Sequence, residues 1–302
     1  MTRRYATVDE LRRGISTEIV IAAGLPREGI HQRLLGPLVW PVAHRFARLA
    51  AGIDRLTAQE GLPAAARWAL FQFVDNVHHI NAESIPADGP LIVASNHPGS
   101  YDGLAILSAM PRDDLKIIVS DVPVLRGMYA TSPHLIYVPK NAHVRMAALR
   151  ESIRHLAAGG SLLVFASAQV DPDPALRPGA AEELAKWSES LPLLLRRVPE
   201  SKLVISIARE VVAPACYDHP LARLRSEPRL RQFTAEFLQI GQQLLFGRRF
   251  RLEPTVRFSD PLTLADLSRV WEAESVQDAI IAQARQVLEA GGVGSPADRP
   301  VE

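Results

Sequence analysis

From His78 onward the sequence alternates short apolar runs with helix-length segments, and no other feature narrows its fold so far. The runs PLIVASN, LKIIVSD, HLIYVP, SLLVFA and KLVISIA read as strands, with VHHINAES before them and RLEPTVRFS after. Between them DGLAILSAM, VRMAALRESIRHLAAGG, AAEELAKWSESL and the region RQFTAEFLQIGQQLLF read as helices. Strands separated by helices of this length pack as a sheet covered by helices. The expected fold is therefore α/β, a mixed central sheet flanked by helices.

The stretch before His78 is different. In HQRLLGPLVWPVAHRFARLAAGIDRL, Leu34, Leu35, Leu38, Val39, Val42, Phe46 and Leu49 recur at helical spacing, with Arg33, Arg45, Arg48 and Arg55 between or beside them. Pro37 and Pro41 are expected to kink this helix or delay its start. PAAARWALFQFVDNV reads as a second amphipathic helix. Residues 1–75 thus form an N-terminal helical region, 76–290 the α/β domain, and 291–302, with GGVGSPADRPVE, a tail expected to be disordered. Basic residues beside a broad apolar face that includes Trp40 make 31–55 a candidate for contact with a bilayer interface, against packing on the α/β core.

Bulk properties exclude several classes. A formal charge of +1 lacks the basic excess of a nucleic-acid binder, so no nucleic-acid partner is expected. A single cysteine, Cys216, permits neither an intrachain disulfide nor a cysteine-based metal site, which suits a reducing, cytoplasmic setting. MTRRYATVDELRRG lacks the apolar core of a signal peptide, so no secretion signal is expected. The uncharged run Leu34 to Ala43 is far shorter than the ~20 residues a membrane span takes. There is no P-loop, HExxH, GxSxG or GxGxxG. His78 and His79, adjacent on a strand, face opposite sides, and His134, His143 and His155 lack ligand spacing, so no metal is expected.

The carboxyl end of a strand is where α/β sheets commonly place function. After LIVAS, Asn96 and His97 leave the strand, the chain bends through Pro98, Gly99 and Ser100, and Asp102 opens a helix. A neutral imidazole whose tautomer is fixed by a carboxylate can accept a hydroxyl proton. Asp102 also reads as a simple helix N-cap with His97 a polar loop residue. Residue types alone leave both readings open.

SNHPGSYD resembles the HxxxxD block of the glycerolipid acyltransferase family, which includes 1-acylglycerol-3-phosphate acyltransferases, and IPADGPLIVAS resembles its lead-in. The resemblance implies His97 as general base and Asp102 as the residue that orients it, with Asn96, Gly99 and Ser100 close to substrate. LIYVPK is similar to a second family block, with Lys140 in the position of a phosphate-binding arginine and Arg145 as a lesser candidate. Lysine there is a point charge without arginine's fork, and a plain surface lysine is the alternative. The third block departs from the family. The strand and Phe165, a substrate-side candidate, are kept, but Ala166, Ser167, Ala168 and Gln169 stand where the family has Pro-Glu-Gly-Thr. Asp171 and Asp173 offer carboxylates in the same loop, though DPDP equally reads as a rigid turn.

The resemblance implies transfer of a fatty acyl group from acyl-CoA or acyl carrier protein, a co-substrate rather than a bound cofactor, to a hydroxyl of a (lyso)phospholipid or glycerolipid. It places the protein peripherally on a membrane lipid surface. The lost third block keeps two other classes open: a catalytically impaired lipid-binding relative, and a hydrolase using the same His-Asp pair on water. Amides of the bend from Pro98 to Asp102 are the expected donors to an oxyanion, Pro98 itself offering none.

Overall fold

The computed structural model describes residues 5–22, 30–138, 142–269 and 274–291, with the backbone alone described at 18–22, 30–39 and 142–145. Three helices lead: α1 (Val8–Ala22), α2 (Ile30–Glu60) and α3 (Leu62–Leu70). Then come β1 (His78–Ile80), β2 (Leu91–Ser95), α4 (Asp102–Ala109), β3 (Leu115–Ser120), α5 (Pro123–Arg126), β4 (Leu135–Val138), α6 (Ala142–Ala157) and β5 (Ser161–Phe165). The chain continues through α7 (Ala180–Leu184), α8 (Ser190–Arg197), β6 (Lys202–Arg209), α9 (Pro214–Tyr217), α10 (Pro220–Arg223) and α11 (Pro228–Phe246). It closes with β7 (Thr255–Phe258), α12 (Leu264–Ser268) and α13 (Val276–Ala290).

The strands form one seven-stranded sheet in the order β1-β7-β6-β2-β5-β3-β4. Every pairing is parallel except β6 with β7, so the sheet is mixed and flanked by helices, with a helical N-terminal region. β2 lies centrally between β5 and β6, and all five of its residues are buried. That is why LIVAS reads as a continuous apolar run rather than an alternating one. Its side chains still alternate. Leu91 and Val93 enter a core with α3, α4 and α11, and Ile92 and Ala94 enter a second with α6, α8 and α13.

Three local expectations need correction. Pro37 and Pro41 do not delay the start of α2, which runs from Ile30 to Glu60. Pro41 lies on an exposed face, where the carbonyl that loses its donor can be hydrated. AAEELAKWSESL is not one helix: α7 stops at Leu184, and a turn follows in which Trp187 N bonds Leu184 O. That turn lets Trp187 drop into the second core at 3% exposure, which a continued helix would not allow. The strand expected over RLEPTVRFS is confined to Thr255–Phe258. Of the expected tail, residues 292–302 lie outside the described residues.

A small third core joins the N-terminal helices to the rest. Leu11 and Ile15 of α1 meet Ala43, Ala47 and Ala50 of α2, with Met128 from the α/β body closing the cluster. The fully buried Asp54 of α2 accepts from Ala6 N at 2.7 Å, Ala130 N at 2.9 Å and Thr131 N at 2.8 Å. Among the described residues no helix is long and apolar enough to cross a membrane.

Candidate active site

β2 ends one residue before the bend, and Asn96 carries its ladder further. The Asn96 side chain donates to Ala208 O at 2.9 Å and accepts from Ala208 N at 2.8 Å. Both ends of the amide serve the backbone of β6, and the residue is buried. Asn96 therefore positions the bend and does not face a substrate, a correction to the role the resemblance implied.

The next residue turns outward. His97 Nδ1 lies 2.8 Å from Asp102 Oδ2; its side chain is 33% exposed and that of Asp102 only 1%. Asp102 is the first residue of α4 and not its cap; the cap position is Tyr101, which makes no side-chain capping bond. The Asp102 carboxylate accepts from Gly99 N at 3.1 Å and from Gly103 N as well. It is thus held from both sides, and it fixes the imidazole with a proton on Nδ1. Among the described residues no bond to Nε2 is seen, so that nitrogen is left to the partly exposed side of the ring.

Carboxylates crowd the bend from behind. Asp171 Oδ2 accepts from His97 N at 2.8 Å, and Asp171 N donates to His97 O at 2.8 Å, so the loop after β5 is stitched to the histidine backbone. Glu236 of α11 accepts from the Ser100 hydroxyl and from its backbone N–H. Burial pushes the carboxyls of Asp171 and Glu236 upward. Burial alone would lower the pKa of His97, but the Asp102 carboxylate, helped by Glu236 and Asp171, raises it to about 9.

This arrangement narrows the oxyanion expectation, since of the amides between Pro98 and Asp102 those of Gly99 and Ser100 are already taken. The amides of His97, Gly99, Ser100 and Gly103 are each committed to a buried carboxyl group, so those four do not point at a reacting carbonyl. Gly99 is packed from behind, where a Cβ would sit 3.4 Å from the Glu236 carboxyl group and from Val211.

Phe165 ends β5 directly beside β2, paired in register with Ser95. Its ring lies against His97 with centroids 4.4 Å apart and planes tilted by 34°. In the loop that follows, Ala168 has φ +54°, although it is not glycine. Ala168 stands where the family pattern has its glycine, and its left-handed backbone is one that glycine would suit better. Asp173 acts as a turn anchor, as DPDP suggested. It accepts from Ala175 N, Glu210 N, Val211 N and Val212 N at 2.9–3.2 Å.

The residues that sequence reasoning missed lie on α11. Gln232, Glu236, Gln239 and Gln243 form a buried polar stripe at helical spacing. Gln232 Nε2 donates to Pro98 O at 2.7 Å and Asp171 O at 2.8 Å, while its carbonyl accepts from Asp173 N and Arg177 Nε. Gln239 bridges Val211 O and Ala213 N, and Gln243 donates to Phe73 O and accepts from the Tyr101 hydroxyl. Arg229, one turn earlier, reaches Gln169 in the altered third block and pairs with Glu183. The spacing of this stripe was visible, but polar residues on one helix face ordinarily signal solvent.

Other candidates are not brought to the site. Lys140 lies outside the described residues, and of Arg145 only the backbone, in α6, is described. His78 pairs with Glu253, His79 bonds Ala105 O, and His134 and His155 bond backbone carbonyls. Among the described residues no cluster of three or more histidine, cysteine or acidic side chains is arranged to hold a metal ion.

The family model described as Acyltransferase matches residues 76–221. A solved 1-acyl-sn-glycerophosphate (LPA) acyltransferase, PlsC, from Thermotoga maritima is similar at 13% identity and a TM-score of 0.47, over 95% of this chain and 98% of that one. No curated protein matches. His97, Asp102 and Phe165 fall inside the matched segment and α11 falls beyond it. The family likeness thus rests on residues 76–221, just under half of the chain, and that stretch carries the His97 bend.

Proposed function

We propose that this protein transfers a fatty acyl group from a thioester, acyl-CoA or acyl carrier protein, to a hydroxyl of a (lyso)phospholipid or glycerolipid at a bilayer surface. The observation that carries this reading is the 2.8 Å contact of His97 Nδ1 with buried Asp102, which leaves Nε2 on the open side of the ring, inside the segment that the Acyltransferase family model matches. Nε2 takes the proton of the acceptor hydroxyl as its oxygen attacks the thioester carbonyl carbon. The tetrahedral intermediate collapses, the C–S bond breaks, and the imidazolium returns the proton to the leaving thiolate. No acyl-enzyme is needed, so Ser100, whose hydroxyl is held by Glu236, stays out of the chemistry. Phe165 offers the acyl chain an apolar wall beside the imidazole. Arg229, beside Gln169, offers a cation for an acceptor phosphate in place of the missing third-block base, alongside Lys140 and Arg145.

The test is acyl transfer from labelled acyl-CoA and acyl-carrier donors into a panel of lipid acceptors, with native protein, His97→Ala and Asp102→Asn. A placed general base contributes about 10²–10⁴-fold, so each variant should lose activity on that scale while remaining folded. Release of free fatty acid with no acylated lipid would replace the acceptor by water. Equal rates in native and variant proteins would remove His97 from the reaction.

A further inference from the structure

Helix α11 is built inside out. Its inner face carries Gln232, Glu236, Gln239 and Gln243, each hydrogen-bonded to the bend or to the loops beside it. Its outer face carries Leu230, Phe233 and Phe237, and the segment leading into it carries Leu221 and Leu224. Phe233 and Phe237 are 44% and 46% exposed one turn apart, and Leu224 is 78% exposed. Large apolar side chains in a row on a solvent face mark a surface that is covered in use.

The charge around this face identifies the cover. Between residues 218 and 251 seven arginines stand against three carboxylates, one of them the buried Glu236, in a chain whose formal net charge is only +1. Among them Arg223 is 63% exposed, sharing Asp218 with Arg231, while Arg225 and Arg248 are also on the surface. Leucine and phenylalanine flanked by guanidinium groups fit the headgroup boundary of an anionic bilayer. There the rings enter the acyl region and the cations stay with the phosphates. The surface runs on to α2, where Arg45 donates to the carbonyls of Leu244 and Leu245.

We propose that the outer face of α10 and α11 is the surface by which this protein docks on an anionic phospholipid bilayer. The docking helix is the one whose inner face holds Pro98 and Ser100, so the lipid surface and the His97 bend share one rigid support. This builds on the lipid-acceptor reading, but vesicle binding is read without turnover and fails or succeeds on its own.

The experiment is co-sedimentation of the full-length protein with phosphatidylcholine vesicles and with vesicles that also contain phosphatidylglycerol. Binding should favour the anionic vesicles and weaken with salt. Phe233→Ser with Phe237→Ser should weaken it roughly 10–100-fold, with the far-UV circular dichroism unchanged. Arg223→Glu with Arg225→Glu should abolish the preference for anionic lipid. Absence of vesicle binding by the native protein would overturn the proposal. So would native binding by the double phenylalanine variant, including the case in which Trp40→Ser is the change that abolishes it. A native dimer that the phenylalanine changes split, with vesicle binding intact, would assign the face to a second copy instead. Loss of acyl transfer with binding retained would count against the reaction and not the surface.

Discussion

Gln232 Nε2 donates to Pro98 O at 2.7 Å, across 134 residues of sequence, and the same amide group donates to Asp171 O at 2.8 Å. One fully buried side chain thus joins the bend that carries His97 to the loop that follows β5. Gln232→Leu keeps the approximate volume but leaves Pro98 O, Asp171 O and Asp173 N without this partner. A buried group left unpaired costs about 1–3 kcal/mol, and partial relaxation brings the total to about 2–5 kcal/mol. Urea denaturation should show the midpoint falling with an unchanged slope. Acyl transfer at a temperature where the variant is still folded should show a reduced kcat, because the backbone on both sides of His97 is released.

With His97 as the proposed general base, its pKa, raised to about 9 by Asp102 with Glu236 and Asp171 against the effect of burial, predicts the pH dependence of transfer. A general base works only unprotonated, so kcat/KM should climb about tenfold per pH unit below that value and level off above it. Glu236→Gln removes one of the charges that raise it, so the midpoint should move to lower pH. The same linkage governs stability. A raised folded-state pKa means the imidazolium contributes fully below its unfolded value near 6.5, and that contribution fades as pH rises through about 9. His97→Ala should therefore lose more stability at pH 6 than at pH 10. Equal losses at both would deny the coupling.

The fold class and the His97–Asp102 pair were legible because both are written in short-range patterns. The strands announce themselves as apolar runs, and the histidine and its carboxylate stand five positions apart. Phe165 was legible for a related reason, as the end of the strand that pairs with β2. Glu236 and Gln232 were not, since their partners in the bend lie more than 130 residues away and a polar helix face says nothing of what it meets. Asn96 misled in the opposite sense. Its place beside His97 suggested a substrate contact, whereas its amide is committed to Ala208, on a strand that the local sequence does not mention. Two amides of the bend, those of Gly99 and Ser100, misled likewise, because their acceptors are the carboxylates of Asp102 and of Glu236 on α11.

Ala168 offers a test of how far the third block has drifted. At φ +54° an alanine pays roughly 1–2 kcal/mol against its Cβ that glycine does not, while glycine gains about 0.5–1 kcal/mol of unfolded-state entropy. The steric relief outweighs the entropy, so Ala168→Gly should raise stability by about 0.5–1 kcal/mol. A thermal scan with matched protein concentrations would read this as a higher Tm. A lower Tm would mean that the left-handed turn is held by its neighbours at no cost to alanine.

Asp54 decides whether the N-terminal helices are an appendage or part of the folded body. Its carboxylate takes three backbone amides, from Ala6 before α1 and from Ala130 and Thr131 before β4, and it is completely buried. No lysine or arginine pairs with it among the described residues, so the carboxylate is balanced by amide dipoles alone. Asp54→Ala strands those donors. Ala130 and Thr131 belong to a packed loop, where an unmet amide costs about 1–3 kcal/mol, and Ala6, itself buried, loses its acceptor with them. The expected loss is about 2–4 kcal/mol, with the first protease cuts falling within α1. Asp54→Asn keeps an acceptor oxygen for part of the cluster and should fall between Asp54→Ala and the native protein. If both variants lose less than about 0.5 kcal/mol, the small core of Leu11, Ile15, Ala43 and Met128 holds the helices without help from the carboxylate.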